Sequence, residues 1–328
     1  MHATPDRSPR GPLLAAALAV LLVVGVIGGA LLFGGGEDHR LVAAPGLSTA
    51  EAPAPVASTP AGTVAPSTPA PDCAPWGCPF RQRLAAAARL VGTEPGRLGV
   101  TVLDRRTGAV WEAGTADHSM WASSTPKLAL ATSLLERARA GEITLEPTAR
   151  RQLAAMLAVS DDDAADALWD RYGGASLLPR FRDRYGMTGA TFVPGFPRRW
   201  GFVKVSARDL RRLMTYVLTE TDPADRAYLV TAMRTTGPIQ HWGVWAAGPG
   251  AGAKDGWSVE KDAGTEHWCT SSVGFAGPGE RYVVAVMDDL PPGAGIAPGV
   301  HATSDVVATI FGARTPAAVT VPAESTGR

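Results

Sequence analysis

The sequence predicts an α/β fold of the segregated α+β kind, with one antiparallel sheet built from both ends of the chain and a helical subdomain between them. Three observations carry this. Two runs rich in β-branched residues come first, within "RLGVTVLDRRTGAVWE" at 97–112. A helical middle follows, and "AGAKDGWSV", "HWCTSSVGFAG" and "RYVVAVMDD" then give three strand-like runs before the closing helix "HATSDVVATIFGA". Strands that must pair across a helical middle require a sheet drawn from both chain ends, with helices packed on it.

Taken in order, 97–112 reads as two strands about a turn at 105–108, where "RRTG" interrupts the apolar pattern. "KLALATSLLERARAG" repeats apolar residues at helical spacing and stops at Gly141. Shorter helical patterns occupy 146–157 and 162–171, and 206–218 is amphipathic with Ser206 in the N-cap position.

The N-terminus sets the compartment. Residues 13–33, "LLAAALAVLLVVGVIGGALLF", carry no charge and match the roughly 20 residues of a bilayer-spanning helix. Arg7 and Arg10 precede them, and Glu37 and Asp38 follow. The positive-inside rule puts 1–12 in the cytoplasm, 13–33 in the membrane as an uncleaved anchor, and the rest outside. Cleavage of a signal peptide near "LVAAPG" is the alternative, and it yields a secreted chain. Residues 34–72 are dominated by Ala, Pro, Ser and Thr, cannot bury a core, and read as a linker. Residues 73–313 form the folded domain, and 314–328 a disordered tail. Cys73 and Cys78 are a disulfide candidate in such a compartment, which leaves Cys269 over. A formal net charge of zero argues against nucleic acid as a partner.

Lysine is rare. Of 31 basic residues only Lys127, Lys204, Lys254 and Lys261 are lysines, and lysine, unlike arginine, can be tuned to accept a proton. In "WASSTPKLALA" the spacing places Ser124 and Lys127 on one face at the start of a helix, one turn apart. A neutral amine there can take the serine proton, the arrangement of an activated nucleophile, and the helix start favours developing negative charge. Ser258 and Lys261 repeat the spacing, but no apolar helix follows them.

Two further stretches complete a pattern: Ser160-Asp161-Asp162 at a break between two helices, and Lys254-Asp255-Gly256 on a strand. With S-x-x-K in front, the chain resembles the penicillin-recognising serine hydrolases, meaning serine β-lactamases of the class A type and D-alanyl-D-alanine carboxypeptidases and transpeptidases, over roughly 81–313. The resemblance implies a β-lactamase/transpeptidase-like fold. It implies Ser124 as the acylated nucleophile, Lys127 as its base, Ser160 as a proton relay and Lys254 as its partner on the strand, favouring an anionic substrate. The oxyanion hole would be the backbone N–H groups of Ser124 and Trp257, and Gly256 would let substrate approach the strand edge. The ligand implied is a cell-wall peptide, an ester or a β-lactam-like small molecule, with no cofactor; His241 and His267, each next to a tryptophan, stand alone without ligand spacing, so no metal is expected. Nothing in the sequence fixes an oligomeric state.

The departures concern Asp162, where the family has asparagine, and Asp255, where it has a hydroxyl residue. Both are expected beside the substrate, repelling a carboxylate, although acidic residues at 161–163 also suit the first turn of a helix. The stretch 173–205 holds no glutamate to activate water for deacylation, so weak β-lactamase turnover is expected. A catalytically impaired protein that binds or senses cell-envelope ligands on the same scaffold is the competing reading.

Overall fold

The structure is a computed structural model and describes residues 73–323. Residues 1–12, the segment 13–33 and the whole linker 34–72 lie outside the described residues. Among the described residues no helix is long and apolar enough to cross a membrane.

A disulfide joins Cys73 and Cys78 directly ahead of helix α1 (Cys78–Thr93), which buries Phe80, Leu84, Ala87 and Val91 at helical spacing. Strands β1 (Arg97–Asp104) and β2 (Ala109–Gly114) form the expected hairpin. The helical half follows: β3 (Met120–Trp121), α2 (Pro126–Arg139), α3 (Pro147–Ala158), α4 (Asp162–Tyr172), α5 (Leu177–Asp183), the short strands β4 (Thr191–Phe192) and β5 (Val203–Val205), α6 (Ala207–Thr219) and α7 (Pro223–Arg234). The chain returns to the sheet with β6 (Gly252–Asp262), β7 (Thr265–Ala276) and β8 (Tyr282–Asp289), and closes with α8 (Ile296–Phe311).

The sheet order is β2-β1-β8-β7-β6, all antiparallel, so β1 pairs directly with β8 from Arg97↔Asp289 to Asp104↔Tyr282. Both faces are covered. Val100, Val102, Val284 and Val286 pack toward α1 and α8, while Leu103, Val273, Val283, Ala285 and Met287 pack toward the helical half. Burial on both faces explains why β1 and β8 read as continuous apolar runs instead of alternating ones.

The central helix departs from the amphipathic reading: every residue from Pro126 to Leu135 is buried. Its small residues Ala129, Ala131, Thr132 and Ser133 let neighbours approach from all sides, whereas a surface helix would keep a polar face. Ser206 caps α6 as expected. Its hydroxyl accepts from the Asp209 N–H at 3.2 Å, and the Asp209 carboxylate accepts from the Ser206 N–H at 2.9 Å. The closing helix starts five residues before the "HATSD" run, because Ile296 and Val300 bury against Trp242 and Trp268. The tail expected from 314 is in part structured: the Ala317 N–H donates to Asp305 Oδ1 at 2.6 Å, and Val319 and Val321 pack on the same tryptophan cluster. Residues 324–328 lie outside the described residues.

Candidate active site

The segment between β3 and α2 is a tight turn. The Thr125 N–H donates to Ala122 O at 3.1 Å, and the Lys127 N–H to Ser124 O at 3.2 Å. Ser124 therefore sits just before the first helical residue, Pro126, whose fixed φ suits that position. Ser123 is held at φ 50°, a conformation uncommon for a residue with a side chain, and its hydroxyl shares a 2.6 Å hydrogen bond with the Ser258 hydroxyl. The serine of the decoy S-x-x-K thus braces the residue next to Ser124, while its lysine, Lys261, is exposed.

Ser160 also has a positive φ, 60°, at the break between α3 and α4. That bend places its hydroxyl between two amines, 3.3 Å from Lys127 Nζ and 3.0 Å from Lys254 Nζ. The three motifs, spread over more than a hundred residues of sequence, converge on this one oxygen. Lys127 Nζ donates further to Ser160 O at 2.6 Å and to Asp162 Oδ1 at 2.5 Å, and lies 4.3 Å from the Trp200 ring centroid. The amine's three donors are thereby taken up by Ser160 and Asp162.

Burial is the largest influence on Lys127 and lowers its pKa below the usual lysine range, against the Asp162 carboxylate, which raises it. The Lys254 amine is completely buried, and burial followed by repulsion from Lys127 pushes its pKa well down. Its donors go to Gln240 Oε1 at 2.6 Å, Asp255 O at 2.7 Å and the Ser160 hydroxyl. Lys254 therefore touches the site through Ser160 and offers no donor of its own to the surface.

Asp162, expected beside the substrate, is the ion-pair partner of Lys127, and its side chain, 62% exposed, also lines the neighbouring cleft. The helix cap is Asp161, whose carboxylate accepts from the Ala164 N–H at 2.8 Å. Asp255 does not line a cleft at all: it is fully buried and accepts from the Ser272 hydroxyl at 2.6 Å. The strand alternation puts Lys254 and Gly256 on the Ser124 side of β6 and Asp255 on the other, where burial raises its pKa well above the carboxylate range.

Gly256 is also buried, and its role is closeness of protein to protein. A Cβ there would fall 2.6 Å from the Ser124 backbone nitrogen and 2.8 Å from the Ser271 hydroxyl. Trp257, half-buried, meets Trp242 edge-on at 6.2 Å. Sequence reading missed two residues that shape the site. Gln240 anchors Lys254 and is itself held through Leu157 O and Ala158 O at 2.8 and 2.9 Å. Trp200 covers Lys127 from the stretch that lacks a glutamate, and its indole N–H is fixed by Asp166 at 2.8 Å. A cleft of about 410 Å³ lined by Asp162, Asp163, Asp166, Arg199 and Trp200 borders this side of the site.

The curated mycobacterial protein named "Putative lipoprotein LppW", from Mycobacterium tuberculosis (strain ATCC 25618 / H37Rv), is 32% identical over 224 residues, covering 65% of this chain and 68% of that one. The chain belongs to the LppW family. The same identity holds for the Mycobacterium bovis LppW. No protein-family model matches the chain. Among solved structures, PBP-A superposes with a TM-score of 0.57 at 22% identity, over 70% of this chain and 95% of that one. A β-lactamase from Burkholderia vietnamiensis gives 0.55 at 20% identity, over 72% and 96%. This member of the LppW family therefore has the fold of the serine β-lactamase and penicillin-binding protein superfamily, as its motifs implied. A further structure, of a single-site mutant of PBP-A, is an acyl-enzyme complex with penicillin G.

Proposed function

We propose that the chain is an extracytoplasmic serine hydrolase that forms an acyl-enzyme at Ser124, acting on peptidoglycan-like peptides, esters or β-lactams with slow turnover. The convergence of Lys127, Ser160 and Lys254 on one hydroxyl carries this reading. Ser124 Oγ attacks the acyl carbon, and its proton passes to the Lys127 amine, which burial inclines toward the neutral form. The Ser160 hydroxyl, bridged to both amines, relays a proton to the leaving group as the acyl–leaving-group bond breaks. The Ser124 N–H and the Trp257 N–H serve as the oxyanion hole. The lack of room for a Cβ at Gly256, which would fall 2.6 Å from the Ser124 nitrogen, supports this placing of β6 beside that amide. The penicillin adduct of PBP-A supports β-lactams as probes for this fold.

Anchoring by segment 13–33 belongs to the same proposal. The relative's name, a lipoprotein, supports attachment to the envelope, and the uncharged apolar run 13–33 serves as the anchor in this reading, with cleavage near "LVAAPG" and secretion as the alternative. The competing reading, a binding or sensing protein, draws on the Lys127–Asp162 pair, which favours a charged and inactive base.

The decisive measurement is covalent labelling of the full chain with a reactive penicillin or activated ester, followed by mass spectrometry. An adduct on the peptide containing Ser124, absent in Ser124→Ala, is expected. A folded chain that acquires no adduct would leave the binding reading in its place.

A further inference from the structure

A second cluster lies further along β7, at the position that pairs with Ser258 of β6. His267 and Cys269 alternate along β7 and so share a face, and Asp289 of β8 stands in register with Cys269. The ligand atoms of all three lie within 4.8 Å of one another. Cys269 Sγ is 3.2 Å from Asp289 Oδ1 and 3.7 Å from His267 Nδ1. Ligand bonds of about 2.0–2.3 Å around a tetrahedral ion imply ligand–ligand edges of roughly 3.5 Å. Two of the three edges are therefore already close to coordination spacing, and a rotation of the Asp289 carboxylate closes the third.

The other imidazole nitrogen supplies an independent observation. His267 Nε2 lies 3.4 Å from Asp262 Oδ2, and Asp262 is in turn held by Lys204 Nζ at 2.7 Å. A carboxylate on the far ring nitrogen is the usual support of a metal-binding histidine, because it fixes the tautomer that leaves the near nitrogen free to ligate. Here the near nitrogen is Nδ1, which points at Cys269. Access exists as well: His267, Asp289 and Asp262 line a cleft of about 700 Å³ that also includes Arg97, Thr115 and Pro291.

We propose that Cys269 Sγ, His267 Nδ1 and Asp289 Oδ1 form a binding site for a divalent cation of the zinc class, with Asp262 as a positioning residue and the cleft open to a water molecule or ligand at the fourth position. A thiolate, an imidazole and a carboxylate together suit zinc better than magnesium or calcium, which prefer oxygen alone. The alternative use, a bare cysteine nucleophile, is opposed by the surroundings. Cys269 is buried, which shields its sulfur from an electrophile, and the Asp289 carboxylate 3.2 Å away attracts a dication. On binding, the sulfur–hydrogen bond breaks, the metal–sulfur bond forms, and the proton leaves to solvent. The site is separate from the proposed acylation chemistry and stands or falls independently of it.

The test is titration of the untagged full chain, purified in detergent, with Co2+ alone. With Cys73 and Cys78 joined, Cys269 is the sole free thiol, so a sulfur-to-cobalt charge-transfer band in the near ultraviolet identifies the ligand without any variant. One Co2+ per chain, that band, intense visible bands of tetrahedral cobalt, and displacement by Zn2+ are expected. The Asp262→Asn variant should keep the band and weaken affinity by about 10–100-fold. Co2+ binding without the band, no binding at millimolar Co2+, or unchanged affinity in His267→Ala overturns the assignment.

Discussion

Replacing Asp162 by asparagine should make acylation easier at low pH, and the size of the effect follows from one distance. The carboxylate oxygen stands 2.5 Å from the Lys127 amine and stabilises its charged form. In bulk water two unit charges at that separation interact by about 1.7 kcal/mol, and at an effective dielectric of 20 by roughly 6.6 kcal/mol. Because Asp162 is 62% exposed, the lower figure is the appropriate one, and it corresponds to somewhat more than tenfold in the balance between charged and neutral amine. The sign is fixed: loss of an anion beside an amine lowers that amine's pKa. The neutral, proton-accepting fraction of Lys127 then grows about tenfold at any pH below its pKa. The assay is the second-order rate of acylation by a neutral activated ester across pH, in the unmodified chain and in Asp162→Asn. The acidic limb should move down by about one unit while the plateau stays in place. A limb that stays put or moves up refutes the role given to the pair. A gain for penicillin with none for the neutral ester would mean instead that Asp162 acts by repelling the substrate's carboxylate.

Two other outcomes are expected. The acyl adduct at Ser124 should persist far longer than in a true β-lactamase, because the position beside Lys127 is occupied by the ring of Trp200 and the stretch 173–205 holds no glutamate; nitrocefin hydrolysed rapidly by the native chain and not by Ser124→Ala would show that another base serves. Gly256→Ala should cost about 1–3 kcal/mol in thermal or chemical unfolding and slow acylation, since the added methyl meets the Ser124 backbone nitrogen at 2.6 Å; native stability with an unchanged acylation rate would show that the two segments are free to part.

The legible parts of the molecule were those written in local pattern. Strand runs, the Ser206 cap and the S-x-x-K before an apolar helix each depend on residues close in sequence, and the sheet from both chain ends followed from their order. The two aspartates show where this stops. Asp255 was placed in the cleft by its position within a motif, yet on a strand the next residue faces the other way, and only the completed packing says which face is which. Asp162 was read against a substrate because its partner lies 35 residues away, across a bend whose geometry rests on the positive φ of Ser160. Gln240 carries no sequence signal: it is one polar residue in a loop until Lys254 arrives from a different element. The metal-ligand cluster is hidden for a related reason, since His267 and Cys269 are visible as an alternating pair but Asp289 joins them only through strand pairing.

The pairing of β1 with β8 has a consequence for how the protein is made. Arg97 meets Asp289, so the first strand to leave the ribosome waits for nearly the last. At typical synthesis rates of about 5–20 residues per second, that interval is roughly 10–40 s. During it, the β1 edge that β8 will later pair is open and the face destined for the helical half is bare, while only α1 has been made to cover the other face, a combination that invites pairing with other chains. The helical half is synthesised in that interval and supplies a cover for one face before the remaining strands arrive. An organism making this protein in quantity must therefore keep nascent copies apart until the C-terminal third is complete, and truncation anywhere within β8 should yield an aggregating product instead of a smaller folded one.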